Sequence, residues 1–302
     1  MKSAIITGST GLVGKAVAQF LSSQGVRVLC IGRRNLSSKE INLCFGLNSL
    51  YLQLSSDRIE DLCAMLPSEG IFSLQDCVFF HFAWRGDKGL TDGTLSQQMK
   101  NAIYASRAVS IAKKIGCIKF INCGSLEETY IEQILINPTL YTDSIRQNYA
   151  IAKLASRDLC KLTAYTNKID LVHTRLSAPV SSDFSGNNFI ELNLRKIRLG
   201  QEIETHKNMR TFDIINVDEV AIAYFKIGIL GKNMANYYIG SQTPGTLSEY
   251  FEYYKSFLNG NTLIKLGENS KLNLDIFDTN PLEIDTEFKP SESFLSIING
   301  LA

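Results

Sequence analysis

Thr7-Gly8-Ser9-Thr10-Gly11-Leu12-Val13-Gly14 follows a short apolar run, Ser3 to Ile6, and precedes a segment, Lys15 to Leu21, that reads as a helix. Three glycines at G-x-x-G-x-x-G spacing between strand and helix make a turn that lets a pyrophosphate approach the backbone closely. The helix N-terminus adds unpaired N–H groups and the positive end of a dipole.

Working outward, strand and helix signals alternate. Strands are expected at Val26–Ile31, Leu50–Leu54, Asp76–Ala83, Lys119–Cys123 and Asp170–Leu176, from β-branched or continuous apolar runs. Helices are expected at Arg58–Met65, Leu95–Ile115 and Asn148–Thr166. Such alternation implies an α/β fold, a Rossmann-type doubly wound parallel sheet covered on both faces. Ligands bind beyond the carboxyl ends of its strands. After about residue 177 the pattern loosens. Ser181–Asn188 reads as a loop, Phe189–Leu199 as an amphipathic helix, Ile214–Val217 as a short strand and Val217–Gly228 as a helix. Tyr237–Ile239 and Leu247–Phe257 read as a further strand and helix. The expected organisation is a dinucleotide-binding domain over 1–176 and a smaller substrate-binding lobe over 177–302, partly interleaved with the sheet.

The 302 residues carry a net charge of +1, which suggests neither a nucleic-acid nor a membrane partner. No apolar run reaches the length of a membrane span, and no signal peptide is visible, so a cytoplasmic protein is expected. Seven cysteines without C-x-x-C pairing read as free thiols in a reducing compartment. Three widely separated histidines offer no metal-ligand spacing, and no metal site is expected. His81 reads as a core histidine, and His173 as one that packs or faces outward.

Tyr149-Ala150-Ile151-Ala152-Lys153 sets a phenol and an ammonium four residues apart on one helical face. A nearby cation stabilises phenolate, and working near neutrality calls for a drop of about three pH units, roughly 4 kcal/mol. Ser125 follows the strand Lys119–Cys123 after Gly124, at the carboxyl end where a ligand lies. Its hydroxyl can bond the same carbonyl or alcohol that Tyr149 touches.

With these motifs the chain resembles the extended short-chain dehydrogenase/reductase family, in its nucleotide-sugar branch, over nearly its whole length. Thr7–Gly14 matches the family's glycine turn, and Ser125, Tyr149 and Lys153 match its catalytic residues. The resemblance implies cofactor contacts from Gly8, Thr10, Gly11, Leu12, Val13 and Gly14 in the turn. It implies further ones from Phe82, Ala83, Asn101, Tyr149, Lys153 and, in the segment Arg175–Pro179, Pro179. The block Arg210–Asp218 resembles one whose arginine grips the nucleotide pyrophosphate, so Arg210 inherits that role, and Asn188 stands near a common substrate-binding asparagine. Trp84 and Arg85 leave the strand Val78–Ala83 at its ligand end and are candidates for contact with sugar or phosphate. The family commonly dimerises through a four-helix bundle, here by Leu95–Ile115 and Asn148–Thr166.

Two departures narrow the chemistry. NAD-binding relatives place a carboxylate at the end of the second strand, where this chain has Gly32-Arg33-Arg34. Without a carboxylate to repel a 2′-phosphate, and with Arg33 able to bind one bidentately, NADP(H) is favoured over NAD. The dehydratases carry an Asp-Glu pair directly after the catalytic hydroxyl, whereas Ser125 is followed by Leu126-Glu127-Glu128. Leu126 cannot act as an acid, and Glu127 stands where epimerase-reductases use a cysteine to shuttle a proton. The resulting expectation is NADPH-dependent reduction of a 4-keto-6-deoxy nucleotide sugar, feeding polysaccharide synthesis. An NAD-linked epimerase with the same residues is one alternative. A non-catalytic NADP(H)-sensing protein on the same fold is another.

Overall fold

The structure is a computed structural model that describes residues 1–68, 70–136, 147–203, 211–261, 265–266, 274–291 and 294–300. Its strands are β1 (Ser3–Thr7), β2 (Arg27–Gly32), β3 (Ser49–Gln53), β4 (Cys77–His81), β5 (Lys119–Cys123) and β6 (Asp170–Leu176). The shorter β7 (Ala178–Val180), β8 (Thr211–Phe212), β9 (Ile214–Asn216), β10 (Asn236–Ile239) and β11 (Gly245–Thr246) follow. The helices that position the site are α1 (Leu12–Ser23), α2 (Ser38–Phe45), α3 (Leu62–Met65), α4 (Leu95–Lys114), α5 (Leu126–Ile136) and α6 (Gln147–Asn167). Beyond them lie α7 (Phe189–Arg198), α8 (Val217–Leu230), α9 (Leu247–Leu258), α10 (Asn280–Thr286) and α11 (Phe294–Asn299).

Seven strands form one parallel sheet in the order β3-β2-β1-β4-β5-β6-β10. The direction of strand addition reverses between β1 and β4, and that switch point is where such sheets take ligands. The expected doubly wound sheet is thus present. Consecutive apolar residues feed its two faces, because alternate side chains point to opposite sides. Ile6 and Phe80 pack with Val17, Leu21, Val220 and Tyr224 on one face. Ile5, Phe79 and Phe120 pack with Ala105, Val109 and Cys160 on the other. A third cluster joins Val180, Phe184, Leu194, Ile214, Tyr250 and Phe294 in the residues beyond β6. Those later residues also return to the main sheet, as β10 beside β6.

Several elements differ from expectation. The segment 58–65 is not one helix: a 3-10 turn over Ser56–Asp61 leads into α3, with Arg58 at φ −114 and ψ 21. α2 and α5 lie in segments where no element is expected from sequence. α2 starts at a reciprocal cap, Ser37 accepting from the Glu40 N–H and the Glu40 side chain accepting from the Ser37 N–H. Thr94 and Gln97 cap α4 in the same way.

The glycine turn is held by exclusion. Gly8 has φ +69, and a Cβ there would lie 2.7 Å from Ala83 N. At Gly14 a Cβ would lie 2.4 Å from the Gly8 carbonyl oxygen. Gly14→Ala should therefore destabilise the fold by about 2 kcal/mol through overpacking against backbone that cannot rotate away. Denaturant unfolding reads this, and wild-type stability in the variant would show that the turn relaxes freely.

Candidate functional site

The turn after β1 opens a cleft of about 680 Å³ at the switch point. Gly8, Thr10 and Gly11 form one wall, Phe82 and Ala83 another, with Arg33 and Asn101 on the rim. Ser9 closes the turn onto β2, its hydroxyl donating to the Ile31 carbonyl at 3.1 Å. Gly11 caps α1 with no side-chain bond to the first N–H groups, so those donors are open to an anion. Leu12, Val13 and Gly14 form the first turn of α1 behind this wall. The rim is cationic: Arg33, Arg34, Arg85 and Lys100 line it, against Asp57 and Asp87. A side-chain-free cradle, open N–H groups and this charge fit a dinucleotide's phosphates.

Beyond β4 the chain is built into a rigid corner. The Asp92 carboxylate accepts the N–H groups of Asp87, Lys88 and Gly89 at 2.8, 2.9 and 2.9 Å. Asn101 clamps Arg85, accepting its N–H at 3.0 Å and donating to its carbonyl at 2.8 Å. Gln98, fully buried, accepts from the Trp84 indole N–H at 2.7 Å and donates to the Leu90 and Asp92 carbonyls. Gln98 and Asp92 carry no motif in the sequence; their roles exist only once the corner is folded.

Tyr149 and Lys153 stand on the first turns of α6, both buried, and Ser125 follows β5. The Lys153 ammonium donates to the Cys123 carbonyl at 2.7 Å and lies 3.9 Å from the centre of the Trp84 ring. It is 5.7 Å from the centre of the Tyr149 ring. Trp84 also meets Tyr149 edge to face, with centroids 5.8 Å apart. Trp84 lines the cleft, whereas Tyr149, Lys153 and Ser125 are not among its lining residues. The indole thus connects the cleft to the pair.

The electrostatics correct the simple spacing argument. Burial pushes the Tyr149 phenol well above its ordinary value. A hydrogen bond with Ser125 pulls it down, while Cys123, Glu127 and Glu128 push it further up. Lys153 is not among the groups that lower it. Loss of water around a phenolate outweighs a neighbouring ammonium in this environment. Burial lowers Lys153 in turn, so both groups are driven toward their neutral forms.

Glu127 is buried, and its backbone N–H donates to the Ser125 hydroxyl oxygen at 3.2 Å. Its neighbour Glu128 accepts the Ser125 N–H at 3.1 Å and meets His173 Nε2 at 2.8 Å. His173 therefore packs in the interior, with both ring nitrogens in polar contact. Asn122 Nδ2 lies 3.1 Å from His173 Nδ1, which makes Nδ1 the acceptor and puts the proton on Nε2, facing the carboxylate. Gly124 has no room between them, since a Cβ there would lie 2.3 Å from Glu128 Oε1. His81 is only half satisfied: Nδ1 lies 2.9 Å from the Thr7 hydroxyl, and Nε2 is buried without a partner among the described residues.

Other expected contacts sit apart. Asn188 caps α7, accepting the Glu191 N–H at 3.0 Å and donating to the Glu191 carboxylate, so its amide is engaged at both ends. Glu191 in turn gathers the loop before it, accepting from Ser181 and Gly186 N–H groups. Pro179 lies in β7 opposite Ile215 of β9. Arg210 lies outside the described residues. The block after it is anchored by Asp213, which accepts from Tyr238 at 3.0 Å, from the Gln242 N–H at 3.2 Å and from Ser241.

A family model described as the NAD dependent epimerase/dehydratase family matches residues 4–240. No sequence among the curated proteins matches the chain. Among solved structures, a UDP-glucose 4-epimerase from Thermotoga maritima superposes with a TM-score of 0.71 at 18% identity, covering 99% of this chain and 100% of that one. A UDP-N-acetylglucosamine 4-epimerase from Bacillus cereus gives 0.73 at 14%, covering 99% and 95%. The Bordetella bronchiseptica enzyme WbmF, solved with NAD+, gives 0.72 at 16%, covering 99% and 91%. At these identities the likeness establishes the fold.

His81 carries a pH signature. Burial, with the Lys153 charge beside it, lowers its pKa from 6.5 to about 3. The unfolded chain then binds the proton more tightly than the folded one, so the neutral ring's contribution is present above pH 6.5 and is lost as pH falls toward 3. The full loss is about 5 kcal/mol. Denaturant unfolding between pH 7 and 4 should show falling stability, and His81→Asn should flatten that slope. An unchanged slope in the variant would assign the acid loss to other groups.

Proposed function

Because the chain belongs to the NAD dependent epimerase/dehydratase family, we propose that it reduces a 4-keto-6-deoxy nucleotide sugar at the expense of NADPH. The observation that carries this reading is the rim at the end of β2. Arg33 and Arg34 line the cleft there with no carboxylate beside them in the chain. Two guanidinium groups suit a 2′-phosphate, and the missing carboxylate removes its repulsion. The backbones of both arginines are fixed, since Gln53 donates to the Arg33 carbonyl at 3.1 Å and Tyr51 to the Arg34 carbonyl at 2.7 Å.

A bound nicotinamide dinucleotide supplies the hydride. The glycine turn and the open end of α1 hold its pyrophosphate, and Arg33 and Arg34 its 2′-phosphate. Tyr149 donates its phenolic proton to the oxygen of the reduced carbon, acting as general acid. Its raised pKa keeps the proton on the phenol throughout the neutral range, so the donor form is the one present, and makes that phenol a weaker acid than the spacing alone implies. Ser125 orients the carbonyl through its hydroxyl, and Lys153 supplies positive charge beside the developing alkoxide. Glu127 is close enough to influence the phenol and is a candidate to move a second proton. Arg210, Asn188 and Arg85 are proposed for the nucleotide-sugar side.

The second reading is an NAD-linked nucleotide-sugar epimerase. It is favoured by the structural neighbours described as 4-epimerases and by the NAD+ in WbmF. A second copy of the chain is proposed against α4 and α6, whose outer faces expose Ile103, Leu162 and Tyr165. A cytoplasmic location is proposed under the same reading. No helix among the described residues is long and apolar enough to cross a membrane.

A panel of nucleotide-linked 4-keto sugars with NADPH or NADH, followed at the nicotinamide absorbance band, tests the proposal. NADPH should be consumed in stoichiometric amounts, and Arg33→Ala with Arg34→Ala should erase the preference over NADH. Tyr149→Phe should lower kcat by about 100-fold or more while binding cofactor normally. Reductive kcat should stay flat from pH 6 to 9, since the acid form is already fully populated. Conversion of a sugar with no added reductant, by protein carrying bound NAD, would establish the epimerase instead. Unchanged turnover in Tyr149→Phe would point to a sensing protein.

A further inference from the structure

Lys153 is a buried ammonium with an unusual set of partners. The described ion pairs do not include it, and the hydrogen bond recorded for its Nζ runs to the Cys123 carbonyl. The other close group is a π face, the Trp84 ring at 3.9 Å. The same indole is fixed at its other end by Gln98, itself fully buried. It also packs edge to face on the ring of Tyr149. We propose that Trp84 is the positioning residue for the Lys153–Tyr149 pair, holding the ammonium by a cation–π contact while Gln98 holds the indole.

The choice of an aromatic partner has a chemical consequence. A carboxylate at this place would anchor the ammonium equally well. It would also set a full negative charge beside the Tyr149 phenol, where Glu127 and Glu128 already oppose ionisation. The ring quadrupole attracts the cation without cancelling its charge. Lys153 therefore stays a source of positive potential for the oxygen that Tyr149 serves. The role extends the proposed reduction and rests on that reading for its meaning, but the contact can be measured without any substrate.

The deciding experiment is a double-mutant cycle on the full chain, with Trp84→Leu, Lys153→Met and both together, read by denaturant unfolding. Coupling should appear as a factor of about 30 in the unfolding equilibrium constant, the size of a desolvated cation–π contact. Additive effects would overturn the proposal. Trp84→Phe guards against a merely disrupted core: it keeps a π face while losing the pyrrole ring and its N–H, so a cycle built on it with Lys153→Met should return much less coupling than the Trp84→Leu cycle. A coupling as large in the Trp84→Phe cycle as in the Trp84→Leu cycle would equally overturn the π contact. The sequence contains a single tryptophan, so emission in the wild type and in Lys153→Met reports the contact directly. In turnover assays Trp84→Leu should lower kcat by about 10-fold or more with KM for the sugar little changed, and Trp84→Phe should recover most of it. Coupling in the cycle with undiminished kcat in Trp84→Leu would refute the positioning role. A sugar panel that yields no turnover at all counts against the proposed reaction, and the cycle still decides the contact.

Discussion

The constraint on which the rest of the structure depends is the approach of backbone to backbone at the switch point. The exit of β1, the start of α1 and the exit of β4 come closer than side chains permit, as the blocked positions at Gly8 and Gly14 show. No side chain caps the first N–H groups of α1 there. The same closeness fixes where the chain leaves β4. Phe82 and Ala83 press on the turn, so the next residue, Trp84, is delivered beside α6. The anion cradle and the Tyr149–Lys153 pair are thus set by one steric fact.

Burial then governs the chemistry of the pair. A phenol and an ammonium on one helical face in water would favour phenolate and ammonium together. Both groups here are removed from solvent, and each shifts toward its uncharged form. Their closest partners fit that situation: a carbonyl and an indole for Lys153, a hydroxyl for Tyr149. The carboxylates nearby push the Tyr149 phenol further up. Glu128 is held there by His173 and the Ser125 N–H, so its position is structural and its charge a by-product felt at the phenol.

What the sequence discloses is what is local. The glycine turn, the apolar strands and the i, i+4 pair are written in spacing, and the sheet follows from their alternation. α5 is hidden because its first turn, Leu126-Glu127-Glu128-Thr129, is wholly buried and half acidic, which erases the apolar stripe. The break at Arg58 is a backbone event with no residue signal. Asn188 carries a second local signal: Asn188 and Glu191 have the spacing of a helix cap, and the structure uses them so. The Glu128–His173 contact spans 45 residues and exists only because β5 and β6 are neighbours. Nothing in either segment announces it.

The rim of the cleft joins cofactor choice to packing. Gly32 ends β2 where a carboxylate would stand in NAD-binding relatives, yet a Cβ there would lie 2.7 Å from the Tyr51 hydroxyl and 3.2 Å from a Thr10 methyl. The tip of Tyr51, reaching across from β3, occupies that space and would have to swing aside for a side chain. Its hydroxyl donates to the Arg34 carbonyl, fixing the backbone of the second arginine. One tyrosine therefore occupies the place of the group that would repel a 2′-phosphate and steadies a group that would attract it. On the proposed reading, preference for the phosphorylated dinucleotide is built into how β2 and β3 pack. Substituting the arginines alone would remove the attraction without creating room for the carboxylate that binds a free 2′-hydroxyl.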